Sequence, residues 1–455
     1  MSAPVFAIVG HPNKGKSSIV STLSQDESVA ISPLPGTTVD IRRYPMTVDG
    51  EVLYELIDTP GFQRARAALE WMRGHAGSAV ERSDTVRRFV DEHRHDSLFS
   101  AECSLLEPVL AGAGILYVVD GSRPFGEEYE AEMEILRWTG QPSMALINMI
   151  SDADYSADWN KALGQYFRIV RVFDAMTADF ERRVQLLLAF GELREEWRGA
   201  LEKAVHILRE EQARRHTLAA RVIAETLART LTHVRSRRLT ADEDMATARD
   251  TLLQEYKQDL VAMEQHCRDE VEQIYNHRKL ERHEPRALLL DEDLFSQQTW
   301  RLFGLTRRQL VATGALGGAA AGSVIDLAVH GASLLLGSGL GAVAGGVSAW
   351  LTAERIANVR MLGHALGGKE LSVGPMRNLN FPYVVLGRAL LHWRMIEQRT
   401  HAYRGPLELT PRPEQVQLID ATTRRRFEKR FSRLRKRDNR RADLVASLAL
   451  LIEQI

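Results

Sequence analysis

Gly10-His11-Pro12-Asn13-Lys14-Gly15-Lys16-Ser17 satisfies the pattern GxxxxGK[ST] and directly follows a short apolar run, VFAIV at residues 5–9. Residues of these types at this spacing can bind a polyphosphate. Such a ligand needs backbone N–H donors around its oxygens, a cation at its β and γ groups, and a hydroxyl on Mg²⁺. Gly10, Asn13, Lys14, Gly15 and Ser18 are the candidates to line the phosphates, Lys16 to supply the cation and Ser17 the hydroxyl. A second element, Asp58-Thr59-Pro60-Gly61, closes another apolar run, VLYELID at 52–58. Asp58 would reach the Mg²⁺ shell through water, and the Gly61 N–H would sense a γ phosphate and pass that state onward. Between the two lies Pro35-Gly36-Thr37-Thr38, a turn in which a threonine would ligate Mg²⁺ and fold over the γ phosphate.

These residues must be held at the ends of strands, and the surrounding sequence supplies the strands. ILYVVD at 115–120 and MALINMI at 144–150 continue the series, separated by segments long enough for crossover helices. The predicted fold class is α/β: a P-loop NTPase with a doubly wound, mostly parallel sheet, occupying residues 1–185. A polar stretch at 62–112, rich in Arg, His and Glu, is expected to hold the switch helix and one further helix, since about fifty structureless residues do not fit a compact domain.

Taken in order, GHPNKGKSS, PGTT and DTPG make the chain resemble the Era and TrmE branch of the translation-factor-like P-loop GTPases, over about residues 4–180. The resemblance implies binding of GTP and GDP with Mg²⁺, and slow GTP hydrolysis. By it, Thr38 matches the Mg²⁺-binding switch residue, which gives Ser17, Thr38 and Asp58 as the implied metal set. Asn13 matches the P-loop asparagine associated in this branch with K⁺, an ion that would do what an arginine finger does elsewhere. The implied catalytic set is Lys16, Thr38, Gly61 and Asn13. Phe62 stands where Ras-like enzymes position water with Gln, as an apolar residue commonly does in this branch, so backbone groups, another switch residue or a nearby protein surface would orient the water.

The same resemblance is incomplete at the base. The family places Asn-Lys-x-Asp after the fourth strand, and here the segment reads Asn148-Met149-Ile150-Ser151-Asp152. Asn148 aligns, Met149 and Ser151 replace the lysine and the carboxylate, and Asp152 or Asp154 would have to take over the latter's role. A missing carboxylate weakens discrimination against other bases. Val172-Phe173-Asp174-Ala175 occupies the place of the base loop.

Beyond residue 185 the pattern changes. Residues 186–305 repeat apolar positions at spacings of three and four, as amphipathic helices do. Residues 306–355 contain a glycine-rich apolar stretch, 310–353, whose one formal charge is Asp326, and small residues recur there as in closely apposed helices. A membrane-inserting hairpin and a buried soluble one both fit it, the first being preferred. Residues 356–455 are expected to be helical and basic: between Arg424 and Arg441 eleven Lys or Arg face two acidic residues, a net charge of +9. That run reads either as a solvated helix face or as a surface for anionic lipid or nucleic acid. The whole chain hides this unevenness. Its 59 basic and 60 acidic residues nearly cancel, which removes the simplest argument for a wholesale nucleic-acid binder, and its two cysteines are too few for a disulfide framework.

The function expected from these observations is a GTP-binding, slowly hydrolysing, nucleotide-controlled switch. It is expected to be cytoplasmic, peripheral to or inserted in the cytoplasmic membrane, and to act with a second copy or a partner protein. An RNA-binding assembly GTPase and a catalytically weak nucleotide-binding scaffold are the alternatives, with RNA ranked below the anionic membrane as a partner.

Overall fold

The computed structural model describes residues 3–29, 31, 41–240, 243–277, 357–363, 369–405, 421–436 and 440–455. Thr38 and the glycine-rich stretch lie outside the described residues. The chain divides into two units, one formed by Met1–Ala213, Asn276–Arg278 and Gln398–Arg404, the other by Arg214–Tyr275, Lys279–Glu397 and Gly405–Ile455.

The first unit is built on six strands: β1 (Val5–Val9), β2 (Arg42–Val48), β3 (Glu51–Asp58), β4 (Gly114–Asp120), β5 (Ser143–Asn148) and β6 (Ile169–Phe173). Their order is β2-β3-β1-β4-β5-β6, all neighbours parallel except the β2–β3 hairpin. Side chains alternate across a strand, so Phe6 and Ile8 enter one apolar core while Ala7 and Val9 enter the other. Both faces are therefore covered, and β4 is buried along its whole length, as an inner strand of a two-sided sheet must be.

Helices α1 (Lys16–Ser24) and α7 (Phe180–Gly191) and the start of α8 (Glu195–Thr232) pack on one face. On the other lie α2 (Ala65–His75), α3 (Arg82–His93), α4 (Ser100–Leu110) and α5 (Glu128–Trp138), with α6 (Ser156–Leu163) contributing Trp159 and Leu163. The stretch 62–112, from which the sequence predicts a switch helix and one further helix, thus holds three. Leu105, Leu106 and Val109 of α4 and Phe89 of α3 bury against the sheet, so its polar composition belongs to the outer faces.

The second unit is mainly helical, as the sequence indicates. It contains the rest of α8, α9 (Met245–Ile274), α10 (Phe381–Gln398), α11 (Ala421–Arg435) and α12 (Arg441–Ile452), with one core of its own. Asp244 caps α9, its carboxylate accepting from the Thr247 N–H at 2.9 Å. A small antiparallel sheet, β7 (Arg235–Leu239), β8 (Ala357–Gly363) and β9 (Lys369–Met376) in the order β7-β9-β8, is an addition the sequence did not lead us to expect.

Candidate functional site

The phosphate loop joins β1 to α1, and its shape is set by what passes close to it. Gly15 has φ +78°, and a Cβ there would lie 2.1 Å from the Asn148 Nδ2, so only glycine lets the loop meet the end of β5. Asn148 uses that proximity. Its Nδ2 donates to the Lys14 carbonyl at 3.1 Å, and its Oδ1 accepts from the Ala175 N–H at 3.3 Å. The Ala175 carbonyl in turn accepts from Thr22 Oγ1 of α1 at 2.7 Å. One buried carboxamide therefore brings the phosphate loop, β5 and the loop after β6 to a single point.

Lys16 is buried, and its Nζ donates to the carbonyls of Gly10 at 3.3 Å and His11 at 3.0 Å, so the ammonium spans the loop it belongs to. Burial pulls its pKa down to about 8, an effect that the Asp58 carboxylate partly offsets. Ser17 Oγ donates to Asp58 Oδ2 at 2.7 Å, which places a hydroxyl and a carboxylate from two different elements side by side. That donor set, oxygen-only and half-anionic, fits Mg²⁺. Asn13 stands at the exposed rim with φ +61°. Ser18 is buried on α1.

The DTPG segment is locked to the same loop. Thr59 Oγ1 donates to the Ile8 carbonyl at 2.7 Å, fixing the end of β3 to β1. A Cβ at Gly61 would come within 2.5 Å of the Pro12 nitrogen, and the Phe62 N–H donates to the Gly10 carbonyl at 3.2 Å. Phe62 itself is buried in the core beneath α2. The next two residues meet a group that sequence reasoning missed. Glu102 of α4, fully buried, accepts from the Gln63 N–H at 2.7 Å and the Arg64 N–H at 2.5 Å. No local motif announces this pairing, since 39 and 38 residues separate the partners.

A second missed group lies under the loop. Glu132 of α5 is buried between His11, whose Nδ1 is 2.8 Å away, and the Tyr117 hydroxyl, which donates at 2.9 Å. Burial raises the Glu132 pKa against the pull of His11. Lys14 sends its Nζ to 3.9 Å from Asp120 at the end of β4 and over the Tyr129 ring. Desolvation lowers its pKa, with Asp120 opposing.

On the base side the arrangement is sparse. Met149 packs against the apolar core, and Asp152 is exposed. Asp154 is committed to the chain itself: the Ser156 side chain and the Ser156 N–H, the latter donating at 2.8 Å, both lower its pKa. The structure thus brings Gly10, Lys14, Gly15, Lys16, Ser17, Asp58, Gly61 and Asn148 together, and leaves Asp152 without a described contact to them.

Residues 160–449 match the family model described as "Domain of unknown function (DUF3482)", which spans well over half of the chain. The chain belongs to the DUF3482 family. Residues 5–149 match a second model, described as "50S ribosome-binding GTPase". With the loop geometry above, this makes the N-terminal part of this DUF3482 protein a P-loop GTPase domain of the Era/Der-like superfamily. Use of GTP, GDP and Mg²⁺ is typical of that superfamily.

Among similar proteins are GTPase Der of Lactobacillus helveticus, 31% identical over 152 residues that make up 29% of this chain and 33% of the relative, and GTPase Der of Burkholderia ambifaria, 28% identical over 156 residues, 34% and 28% respectively. The similarity thus spans a third or less of the length of these relatives. Similar solved structures include Aquifex aeolicus Era bound to GDP and AlF4⁻, at 16% identity and TM-score 0.28, and Era in complex with MgGDPNP and nucleotides 1506–1542 of 16S ribosomal RNA, at 15% and 0.29. Each covers 60% of this chain and 90% of the solved chain.

Two expectations are corrected. RNA was ranked behind an anionic membrane and a protein partner, whereas the model matching residues 5–149 is described by ribosome binding. A location on or in the cytoplasmic membrane was expected, whereas no helix among the described residues is long and apolar enough to cross one, and the similar curated proteins are GTPase Der. The basic α11 also lacks what a membrane-surface helix needs, because Phe427, Phe431 and Leu434 on its apolar face are buried in the protein's own core.

Proposed function

We propose that this protein is a GTP-binding, slowly hydrolysing switch that acts on ribosomal RNA. The observation that carries the nucleotide half is the interlock of phosphate loop and DTPG segment, in which Ser17 meets Asp58 and the Phe62 N–H meets the Gly10 carbonyl. A γ phosphate entering between them must change those contacts, which is the differential interaction a switch requires. Lys16 would bind the β and γ phosphates. Ser17 and Asp58, with Thr38, would hold Mg²⁺, which when bound supplies positive charge to those phosphates. Gly61 would present its N–H to the γ phosphate, and the backbone at Phe62 rather than a glutamine would orient water. Asn13 would add a K⁺ ligand. Asn148 would frame the base, and Asp152, exposed and near it in sequence, is the carboxylate through which guanine would be chosen. The RNA half is supported by the description of the model matching residues 5–149.

Identification of the nucleotide that co-purifies, followed by phosphate release from GTP and ATP in K⁺ and in Na⁺, tests the first half. Lys16→Ala should abolish both binding and release, and Asn13→Ala should remove any advantage of K⁺. Equal turnover of ATP and GTP, unaffected by Lys16→Ala, would refute it. Filter binding of ribosomal RNA from the 50S particle in the GDP and GTP-analogue states tests the second.

A further inference from the structure

The phosphate loop is tied to a carboxylate that its own motif does not include. Lys16 Nζ donates to the carbonyls of Gly10 and His11, and the Gly10 carbonyl also accepts from the Phe62 N–H. A Cβ at Gly61 would strike Pro12. Residues 10–12 are therefore the piece of the loop on which both the Lys16 ammonium and the DTPG segment bear. Gly10 has no side chain and the Pro12 ring no polar group, so His11 alone of the three can be tied by a side-chain hydrogen bond.

Glu132 is that tie. Its Oε1 lies 2.8 Å from His11 Nδ1, and its Oε2 accepts from the Tyr117 hydroxyl at 2.9 Å. Tyr117 is a fixed post, because it belongs to the fully buried β4 and its ring stacks on Phe167 with centroids 5.3 Å apart. Tyr129, one turn before Glu132 on α5, sets its ring edge-on to the His11 ring at 5.5 Å, so one face of α5 holds the imidazole by two contacts. Burying a carboxylate is costly even where donors meet it, and an apolar residue of the same size would fill this space more cheaply. It could not hold His11. Resting on the nucleotide half of the function proposed above, we infer that Glu132 is a positioning residue for GTP hydrolysis. It acts through His11, fixing the two carbonyls against which Lys16 and the Phe62 N–H take their places.

In the full-length protein, single-turnover phosphate release from saturating GTP should fall about tenfold in Glu132→Leu and in His11→Ala. GDP affinity should fall by less, because the Phe62 contact bears on the γ phosphate. The double variant should be no slower than either single one, since both changes remove the same tie. Glu132→Gln should recover release to within about threefold of wild type, its amide oxygen accepting from Tyr117 and its amide N–H donating to the imidazole. Hydrogen exchange at the Phe62 N–H should accelerate in Glu132→Leu and return toward wild type in Glu132→Gln. The melting temperature of Glu132→Leu should stay level or rise, where a residue needed only for stability would lower it. His11→Ala cuts the tie from its half-exposed side and carries the test should Glu132→Leu fail to fold. Wild-type release in both single variants, losses that add in the double variant, or release that falls only in step with the melting temperature would overturn the inference and leave the GTPase standing. A wild type that releases no phosphate would overturn the function proposed above, and this inference with it.

Discussion

At the residue scale the site depends on a few side chains that each join separate pieces of chain. Asn148 is the clearest case, because its two polar atoms satisfy the Lys14 carbonyl and the Ala175 N–H at once. Asn148→Ala leaves both groups buried without that partner, a loss of about 1–3 kcal/mol for each in the usual range. Asn148→Asp keeps the acceptor for Ala175 but turns a carboxylate oxygen toward the Lys14 carbonyl, exchanging attraction for repulsion. GDP titrations should therefore show both variants binding at least about tenfold more weakly, with Asp no better than Ala. Affinity within twofold of wild type in both would show that the loop keeps its shape without this carboxamide. Asn148 was legible in the sequence because it follows an apolar strand in the position where the family keeps an asparagine. Its partner Ala175 was legible only as a place, since four ordinary residues carry no pattern until β6 brings them next to β5.

At the element scale the insertion at 62–112 is tied to the DTPG segment through Glu102, which gives α2 a carboxylate at its N-terminus. There it meets free N–H groups and the positive end of the helix dipole. The contact fixes the chain directly after Phe62, the stretch that must set the attacking water if no glutamine does. Glu102→Gln preserves the shape and one acceptor but gives up the charge. We expect single-turnover phosphate release to fall about tenfold, equivalent to about 1.4 kcal/mol, while GDP affinity stays within twofold. Hydrogen exchange at Gln63 and Arg64 should accelerate in the same variant. Unchanged release with accelerated exchange would make Glu102 a structural cap only. The sequence showed the strands of this unit well, because VFAIV, VLYELID and ILYVVD are buried runs that only a covered sheet needs. It understated the insertion, whose three helices hide their apolar faces among Arg, His and Glu. It also missed β7, whose Arg-Ser-Arg-Arg-Leu has no apolar alternation and is held instead by pairs such as Arg235 with Asp259 at 2.8 Å.

At the scale of the whole molecule, the chain returns to the nucleotide-binding unit twice after leaving it, at 276–278 and 398–404. Both returns land at the exit of α1, where the chain heads toward Thr38. The His277 Nδ1 lies 2.7 Å from Glu27 Oε1, the His401 carbonyl accepts from Ser21 Oγ at 2.9 Å, and Arg404 donates to the Val29 carbonyl at 3.3 Å. His277 and His401 stack with ring centroids 4.5 Å apart. One return directly follows α9 and the other directly follows α10, so residues 27–29 touch chain that is continuous with both helices. Coupling of this kind needs a difference in contact between the two nucleotide states, and its size is bounded by that difference. On the function proposed above, wild-type protein should bind ribosomal RNA with affinities that differ about fivefold or more between GDP and a nonhydrolysable GTP analogue, within the usual 1–3 kcal/mol of coupling. In the His277→Ala/Arg404→Ala variant that difference should collapse toward unity, while affinity for each nucleotide stays within about threefold, since neither side chain reaches the phosphate loop. By reciprocity, RNA should then stop altering nucleotide affinity in the variant as well, which a nucleotide titration with and without RNA measures independently. A wild type with a clear nucleotide effect on RNA that persists undiminished in the variant would place the coupling elsewhere in the chain.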